Sequence, residues 1–110
     1  MRKTFIYGLI CPYSLELRYV GKANDPQRRL KDHMYDFRGH ELNKALWFRK
    51  MRQDKIKPIL EIIEEVTMDK WQEAEEFWIA YFRYIGANLL NIQEGGNGLS
   101  EANYTTFKKK

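Results

Sequence analysis

The sequence predicts an α+β fold, a small three-stranded antiparallel sheet flanked by helices, with the element order β-β-α-α-β-α. The first observation behind this is a pair of β-rich runs, residues 4–10 and 15–20, separated by the turn-like segment 11–14. That spacing is typical of a β-hairpin. The second observation is a pair of helical stretches after the hairpin, and the third is one more β-rich run followed by a longer helix.

The two middle helices are predicted from their start and stop signals. The tripeptide 24–26 reads Asn-Asp-Pro, in which either polar side chain can cap and proline suits the first helical position. This helix should run to residue 36 or 37, with Gly39 stopping it. The second helix should span residues 41–53. Its apolar residues are spread so broadly around the helix that they do not indicate which face is buried.

The third strand is predicted over residues 59–66, because isoleucine, leucine and valine dominate that run. Thr67 is a plausible cap for a helix over residues 68–85, which Gly86 would end. Residues 88–93 should then be extended.

Composition limits the kind of protein this is. We expect one domain, residues 1–96, followed by a flexible basic tail, residues 97–110. A hydrophobic content of 44% is that of a globular chain rather than a disordered one. The net charge of +4 suits a polyanionic partner such as nucleic acid, although many basic proteins bind none.

The chain carries a single cysteine, Cys11, which excludes an intramolecular disulfide and any zinc site that needs two thiolates. This fits a reducing compartment. We expect no signal peptide, because Arg2 and Lys3 lead directly into a strand-like run. The apolar runs are also far shorter than the roughly 20 residues that a membrane helix needs. These features predict a cytoplasmic protein that is not secreted and has no membrane partner.

Glu75 does not follow the other charges of the last helix. At 100° per residue it falls about 40° from Trp71, inside the apolar arc and between Phe82 and Ile79. A carboxylate there is costly unless it is paired or binds a metal. It either pairs with a lysine or arginine at the edge of the arc, or it is an oxygen ligand for a hard cation such as Mg²⁺.

The first helix and the hairpin carry two further candidate pairs. Arg29 and His33 are one turn apart on a strip beside the apolar face of the helix. They are either a solvated edge or a phosphate clamp with a supporting imidazole. A turn centred on Tyr13 would place Tyr7 opposite Tyr19. Those two rings either stabilise the hairpin as a cross-strand pair or belong to a site.

Taken together, these residues resemble the GIY-YIG endonuclease family over residues 5–96. The stretch Phe5-Ile6-Tyr7 is similar to the GIY element, and Tyr19-Val20-Gly21 is similar to the YIG element. The departures, Phe5 for glycine and Val20 for isoleucine, leave both tyrosines in place. Downstream, Arg29 and His33 are similar to the family's helix arginine and its supporting residue. Glu75 resembles the metal-binding glutamate, and Asn91 resembles the C-terminal asparagine.

The resemblance implies hydrolysis of a DNA phosphodiester at a site with one Mg²⁺ or Mn²⁺ ion. Glu75 would hold the ion, and Arg29 would neutralise charge on the phosphoryl oxygens. A tyrosine, with Tyr7 as first choice, would be the general base towards water. Because an ordinary tyrosine pKa near 10 is too high for that role, we expect Lys22, Arg29 and the metal to lower the Tyr7 pKa.

The remaining site residues have supporting roles in this interpretation. Tyr19 and His33 would position the water or share the proton, while Gly21 turns the chain and Asn91 ties the last extended segment to the site. Arg28 is the alternative catalytic arginine if the helix register differs, and Arg29 is preferred because it shares a strip with His33.

A lysine-rich surface is a further candidate for gripping the DNA backbone, and the alternative is a solvated helix face. Its members are Lys44, Arg49, Lys50, Arg52, Lys55 and Lys57. Such contacts add affinity and salt dependence without reading sequence. The closest resemblance is to phage-type homing endonucleases, which implies a bacterial or phage-infected cell.

Several alternatives stay open at this point. The chain could be a non-cleaving nucleic-acid-binding module, or a structural domain whose tyrosines and glutamate only pack and pair. DNA recognition could be built into this domain, could belong to a longer protein, or could come from a partner. Nicking or double-strand cleavage, and a monomer or a transient dimer, are equally undecided.

Overall fold

The structure is a computed structural model that describes residues 2–35 and 42–91. Within them the chain forms three strands and three helices, in the predicted order β-β-α-α-β-α. In chain order these are β1 (Lys3–Ile10), β2 (Leu17–Ala23), α1 (Pro26–Tyr35), α2 (Leu42–Gln53), β3 (Ile59–Thr67) and α3 (Trp71–Tyr84). The strands form one antiparallel sheet in the order β2-β1-β3, which confirms the predicted α+β class.

The central strand β1 is buried on both faces, and a separate apolar cluster covers each face. On the face of α1 and α2 the buried members are Tyr7, Leu9, Ala23, Leu30, Met34, Phe48 and Met51. On the face of α3 they are Ile6, Val20, Val66, Ile79 and Leu89. Since side chains alternate along a strand, adjacent β1 residues supply the two clusters in turn.

The hairpin differs from its prediction in where β2 begins and ends. β2 begins at Leu17, because Leu15 has a φ of 61° and lies in the connecting loop. It then continues to Ala23, so Gly21 lies inside the strand, opposite Tyr7, and does not turn the chain. The predicted turn at this glycine is therefore wrong.

The register of the hairpin also corrects the predicted tyrosine pair. Tyr19 lies opposite Leu9, two positions from the predicted partner, Tyr7. The pairing then shifts, because Ile10 lies opposite Leu17 and leaves Arg18 as an extra residue. As a result, Leu17 packs against the α3 cluster while Tyr19 packs against the other one. Strict alternation along β2 would instead put these two residues on one face.

The start of α1 follows its signal, whereas the start of α3 does not. The Asp25 carboxylate accepts a hydrogen bond from the backbone N–H of Arg28 at 3.2 Å, which makes Asp25 the cap. Thr67 ends β3 instead of capping α3, and the helix begins four residues later at Trp71. The predicted Thr67 cap is therefore wrong. The end of the first helix beyond Tyr35, its stop at Gly39 and the start of the second helix at Glu41 lie outside the described residues.

The end of α3 follows its glycine signal. Gly86 has a φ of 105°, its N–H donates to the Arg83 carbonyl at 3.1 Å, and the Ala87 N–H donates to the Phe82 carbonyl at 2.9 Å. This is the pair of bonds that closes a helix with a left-handed residue. Beyond it, the Leu90 N–H donates to the Arg18 carbonyl at 2.6 Å and holds the segment against β2.

No helix in residues 2–35 and 42–91 is both long and apolar enough to cross a membrane. The predicted domain boundary at residue 96 and the tail at 97–110 lie outside the described residues.

Candidate active site

A cavity of about 560 Å³ opens at the β2 edge of the sheet, where four elements meet. It brings together four of the five predicted catalytic residues: Tyr7 from β1, Tyr19 from β2, Arg29 from α1 and Glu75 from α3. Its remaining lining residues are Lys22, Ala23, Asn24, Asp25, Arg28, Asp32 and Trp71. The fifth predicted residue, His33, lies behind Tyr7.

His33 contacts the site through the hydroxyl of Tyr7. The Tyr7 Oη lies 2.9 Å from the Nε2 of His33, and the phenol donates this hydrogen bond when the proton of the neutral imidazole is on Nδ1. His33 is only 4% exposed and stacks on Phe48 with ring centroids 5.4 Å apart and planes 4° apart. The solvated-edge interpretation is therefore wrong for His33, which faces a proton donor rather than water.

Tyr19 completes an aromatic group with the same two residues. Its ring centroid is 6.3 Å from that of Tyr7 and 5.2 Å from that of His33, with the His33 ring nearly perpendicular. The Nζ of Lys44 lies 4.7 Å from the Tyr19 centroid, within cation–π range. Lys44 was predicted as a DNA contact, and the structure places it beside the aromatic group.

Gly21 leaves the space that the two tyrosine rings occupy. A Cβ at this position would lie 2.6 Å from the Tyr7 Oη and 2.9 Å from the Tyr19 Cε2. Both separations are far below a normal van der Waals contact, so any side chain here would displace the hydroxyl. Gly21 supports the site by close approach of the backbone, because it is not at a turn.

The tyrosine pKa values are raised, contrary to the prediction for Tyr7. Burial is the largest cause for Tyr7, and the charges of Tyr19 and Glu75 raise its pKa further while Arg29 lowers it. Burial and Glu75 likewise raise the Tyr19 pKa, against the effect of Arg29. Desolvation exceeds the effect of the cation, so both phenols are neutral in the resting protein.

Both candidate arginines line the cavity from the exposed side of α1. Arg29 is the one whose charge acts on Tyr7 and Tyr19. Across the cavity, the Nζ of Lys22 lies 4.7 Å from the Trp71 ring centroid. These side chains give the cavity a cationic side that suits a phosphate.

Glu75 is half-buried and lies close enough to both phenols to raise their pKa values. The described residues contain no group of three or more histidine, cysteine, aspartate or glutamate side chains able to hold a metal together. The Glu75 carboxylate lines a polar cavity, which fits Mg²⁺, because this ion keeps several waters and takes one or two carboxylates plus substrate phosphates. It does not fit zinc, which takes three or four protein ligands.

Asn91 reaches β2 from the segment after α3. Its Nδ2 donates to the Val20 carbonyl at 2.7 Å, and its Oδ1 accepts from the Val20 N–H at 3.1 Å. Val20 lies between Tyr19 and Gly21, so the asparagine fixes the part of β2 that carries the site. The supporting role of this side chain stays a prediction, and these two bonds are the contacts through which it would act.

Two predicted DNA contacts on α2, Arg49 and Lys50, do not line this cavity. Lys50 pairs with Asp54 at 3.3 Å and lies 5.3 Å from the Tyr13 ring centroid. Sequence reasoning also missed Phe48 and Trp71. Phe48 belongs to the broad apolar set of α2, and only the packed structure shows that it stacks on His33.

Comparison with known proteins gave a family match. A family model described as the GIY-YIG catalytic domain matches residues 3–88. Comparisons with curated proteins and with solved structures gave no match. Because the family model covers most of the chain, the family's general activity, nuclease cleavage of phosphodiester bonds in nucleic acid, applies here. The chain therefore belongs to the GIY-YIG family.

Proposed function

We propose that the chain is a DNA endonuclease that hydrolyses phosphodiester bonds with the help of one divalent cation. One observation carries this proposal. Tyr7 lines a polar cavity together with Arg29 and Glu75, and its hydroxyl is hydrogen-bonded to His33 on its buried side. The phenol therefore lies between a candidate proton acceptor and a cavity lined by a cation and a carboxylate.

The raised Tyr7 pKa means that the phenol is protonated at the start of the reaction. A buried phenol is a poor base until it loses its proton, and the Nε2 of His33 is positioned to accept that proton. The Tyr7 oxygen can then take a proton from a water molecule. The resulting hydroxide attacks phosphorus and the bond to the leaving oxygen breaks. That oxygen is protonated from solvent, and His33 returns its proton through the Tyr7 hydroxyl to the water of the cavity.

The cationic and aromatic groups of the cavity support this path. Arg29 would neutralise the negative charge that develops on the phosphoryl oxygens and would also stabilise the Tyr7 phenolate. Lys22 would add a second positive charge from β2. Tyr19, whose ring lies against both Tyr7 and His33, would position the attacking water.

Glu75 would hold the divalent cation together with phosphate oxygens and water. When bound, such an ion polarises the phosphate and stabilises the leaving oxygen. The half-buried position of the carboxylate, beside two neutral phenols, supports this role. Its effect on both tyrosine pKa values also means that neutralising Glu75 would ease the ionisation of Tyr7.

A cleavage assay tests this proposal. Plasmid and branched DNA are incubated with the protein in Mg²⁺ or in EDTA, and Glu75→Gln is compared with Glu76→Gln, a matched change on the same helix. We expect wild type to cleave DNA in Mg²⁺ but not in EDTA. In Mg²⁺, Glu75→Gln should lose cleavage and Glu76→Gln should retain it. Cleavage that persists in EDTA and in Glu75→Gln would refute the metal role. Binding without any cleavage would identify a non-cleaving module. The homing resemblance and the cytoplasmic location stay predictions.

A further inference from the structure

A second groove lies on the other side of α1 from the cavity that Tyr7, Arg29 and Glu75 line, which is named the cleavage cavity. It has a volume of about 640 Å³ and is bounded by α1, the end of α2 and the residues that lead into β3. The size falls in the range of about 300–1,000 Å³ that is usual for small-ligand sites. Apolar side chains contribute to its lining, namely Leu30, Met34 and Ile56.

Four cationic side chains surround this groove: Lys31, Arg52, Lys55 and Lys57. No described carboxylate is among its lining residues. The Arg52 guanidinium is held in place because its Nη1 donates to the Met34 carbonyl at 2.8 Å. The groove therefore combines an apolar surface with concentrated positive charge, which is suited to an anionic ligand that also has an apolar face.

Tyr35 adds an aromatic surface at the same place. It lines the groove and its side chain is 65% exposed, although a tyrosine normally covers part of its ring in the fold. A duplex presents mainly phosphates to a protein surface and keeps its bases stacked. A single strand offers bases that can lie on an aromatic ring and an apolar surface while its phosphates meet lysine and arginine.

Backbone strain at Lys55 is an independent observation in the same groove. Lys55 has a φ of 59° and lies two residues after the end of α2. Its N–H donates to the Arg52 carbonyl at 3.1 Å, and the Ile56 N–H donates to the Met51 carbonyl at 2.9 Å. Glycine is the preferred residue at this helix-ending position because a side chain is unfavourable there. A lysine kept in a strained position is expected where its charge has a function.

We propose that this groove, lined by Lys31, Tyr35, Arg52, Lys55 and Lys57, binds single-stranded nucleic acid that flanks the cleavage site. Arg28 lies between the two cavities on the exposed side of α1, and it lines the cleavage cavity. Since a helix is about 10–12 Å across, a short unpaired segment can cross it from one cavity to the other. The inference rests on the proposed function only in taking the bound strand to be the nuclease substrate. It predicts a preference for substrates with a single-stranded branch.

Binding is measured first, so that the result does not depend on cleavage. The anisotropy of fluorescein-labelled oligo(dT) and of a blunt duplex is followed in EDTA at several salt concentrations. The double variant Lys31→Gln/Lys57→Gln is compared with Lys3→Gln/Lys70→Gln, which removes the same charge away from the groove. We expect at least tenfold weaker oligo(dT) binding in the groove variant than in the control. Its slope of log K against log salt should fall by about 1.4, or 0.7 for each lost phosphate contact.

Two single variants distinguish a functional groove from a merely basic surface. Lys55→Gly should raise the thermal midpoint, because it relieves the strained backbone, while it weakens oligo(dT) binding. Tyr35→Ala should weaken oligo(dT) binding about fivefold or more through lost stacking, with little effect on the duplex. Circular dichroism checks that each variant is folded.

The results separate this inference from the proposed function. Oligo(dT) affinities that match the control variant, or losses that affect the duplex equally, would overturn the single-strand groove. If wild type cleaves but groove variants show an unchanged preference for branched over blunt DNA, the groove is refuted and the nuclease proposal stands. If wild type binds oligo(dT) through the groove but cleaves nothing, the groove stands and the nuclease proposal fails.

Discussion

The hydroxyl of Tyr7 lies 2.9 Å from the Nε2 of His33, and both residues are buried, with exposed fractions of 0% and 4%. Burial raises the pKa of Tyr7 above its ordinary value, so the phenol keeps its proton unless an acceptor takes it. In the proposed mechanism His33 is that acceptor, and its stacking on Phe48 holds the ring in position. The mechanism makes the two residues a unit, in which neither side chain acts alone.

Removing either member of this unit should abolish most cleavage. We expect Tyr7→Phe and His33→Gln each to lower kcat by about 10²–10⁴-fold, the usual contribution of a positioned acid–base group. The double variant should lose little more than either single one, because the two act on the same proton. Tyr13→Phe, outside the site, is the control. A strictly additive double variant would contradict the relay.

Gly21→Ala tests the close approach between β2 and the tyrosines. The new Cβ would lie 2.6 Å from the Tyr7 Oη and 2.9 Å from the Tyr19 Cε2, so we expect destabilisation of about 1–3 kcal/mol and loss of cleavage. Adding Tyr7→Phe to Gly21→Ala removes the closest atom. The double variant should therefore recover part of the free energy of unfolding that Gly21→Ala loses, as measured by urea unfolding. Gly8→Ala is a useful comparison, because its Cβ would meet the flexible end of Leu17 at 2.7 Å. It should keep more activity than Gly21→Ala.

The two arginines of α1 should behave differently. Arg29 lowers the pKa of Tyr7 and Tyr19, so Arg29→Ala removes charge stabilisation from both the phosphate and the phenolate. We expect its kcat to fall by about 10²–10³-fold. Arg28→Ala should instead raise KM and reduce the salt dependence of DNA binding, with kcat nearly unchanged. Steady-state kinetics at two salt concentrations separate these outcomes. An equal kcat loss in both variants would mean that the arginines share the role.

Elements governed by local signals were predictable from the sequence. Pro26 starts α1 with Asp25 as its cap, and Gly86 ends α3. These signals depend on a few neighbouring residues whose side chains or backbone conformations decide the outcome. The charge pattern of α3 likewise predicted that Glu75 is out of place among apolar residues, and the structure has it half-buried at a cavity.

Features that depend on register were not predictable in the same way. The extra residue at Arg18 moves Leu17 and Tyr19 to opposite faces of the sheet, and strict alternation cannot anticipate it. Gly21 looked like a turn residue, although its role is to admit the rings of Tyr7 and Tyr19. His33 occupies the edge of the α1 apolar face in projection, but Phe48 from α2 covers it. Helix packing decides that burial, and a helical projection does not contain it.

Asn91→Ala should loosen the part of β2 that carries the site. The change removes the side-chain partners of both the N–H and the carbonyl of Val20. Each backbone group left unsatisfied costs about 1–3 kcal/mol, less where water can replace the amide. We expect a lower free energy of unfolding in urea and a moderate loss of cleavage. Asn88→Ala is the matched control, because Arg18 bonds to the Asn88 backbone carbonyl, which the substitution retains. Equal stabilities of the two variants would contradict the supporting role of Asn91.

Alkaline unfolding should report the buried, neutral state of Tyr7. Its folded pKa is raised, whereas an unfolded tyrosine titrates near pH 10. Above pH 10 the unfolded chain therefore binds fewer protons than the folded one, and stability present below pH 10 is lost as pH rises. The free energy of unfolding should fall by about 1.4 kcal/mol per pH unit for this residue.

Tyr13 contributes in the same direction, because its hydrogen bond to Asp54 raises its pKa to about 12. The measurement is therefore made in a Tyr13→Phe background, by urea unfolding between pH 9 and pH 11.5. Adding Tyr7→Phe should make the free energy of unfolding fall less steeply with pH. The contribution of Tyr19 to this fall should remain, because burial raises the pKa of Tyr19 too. Identical slopes with and without the Tyr7 hydroxyl would show that Tyr7 ionises within the folded protein. Burial would then not raise the pKa of Tyr7 above its ordinary value near 10.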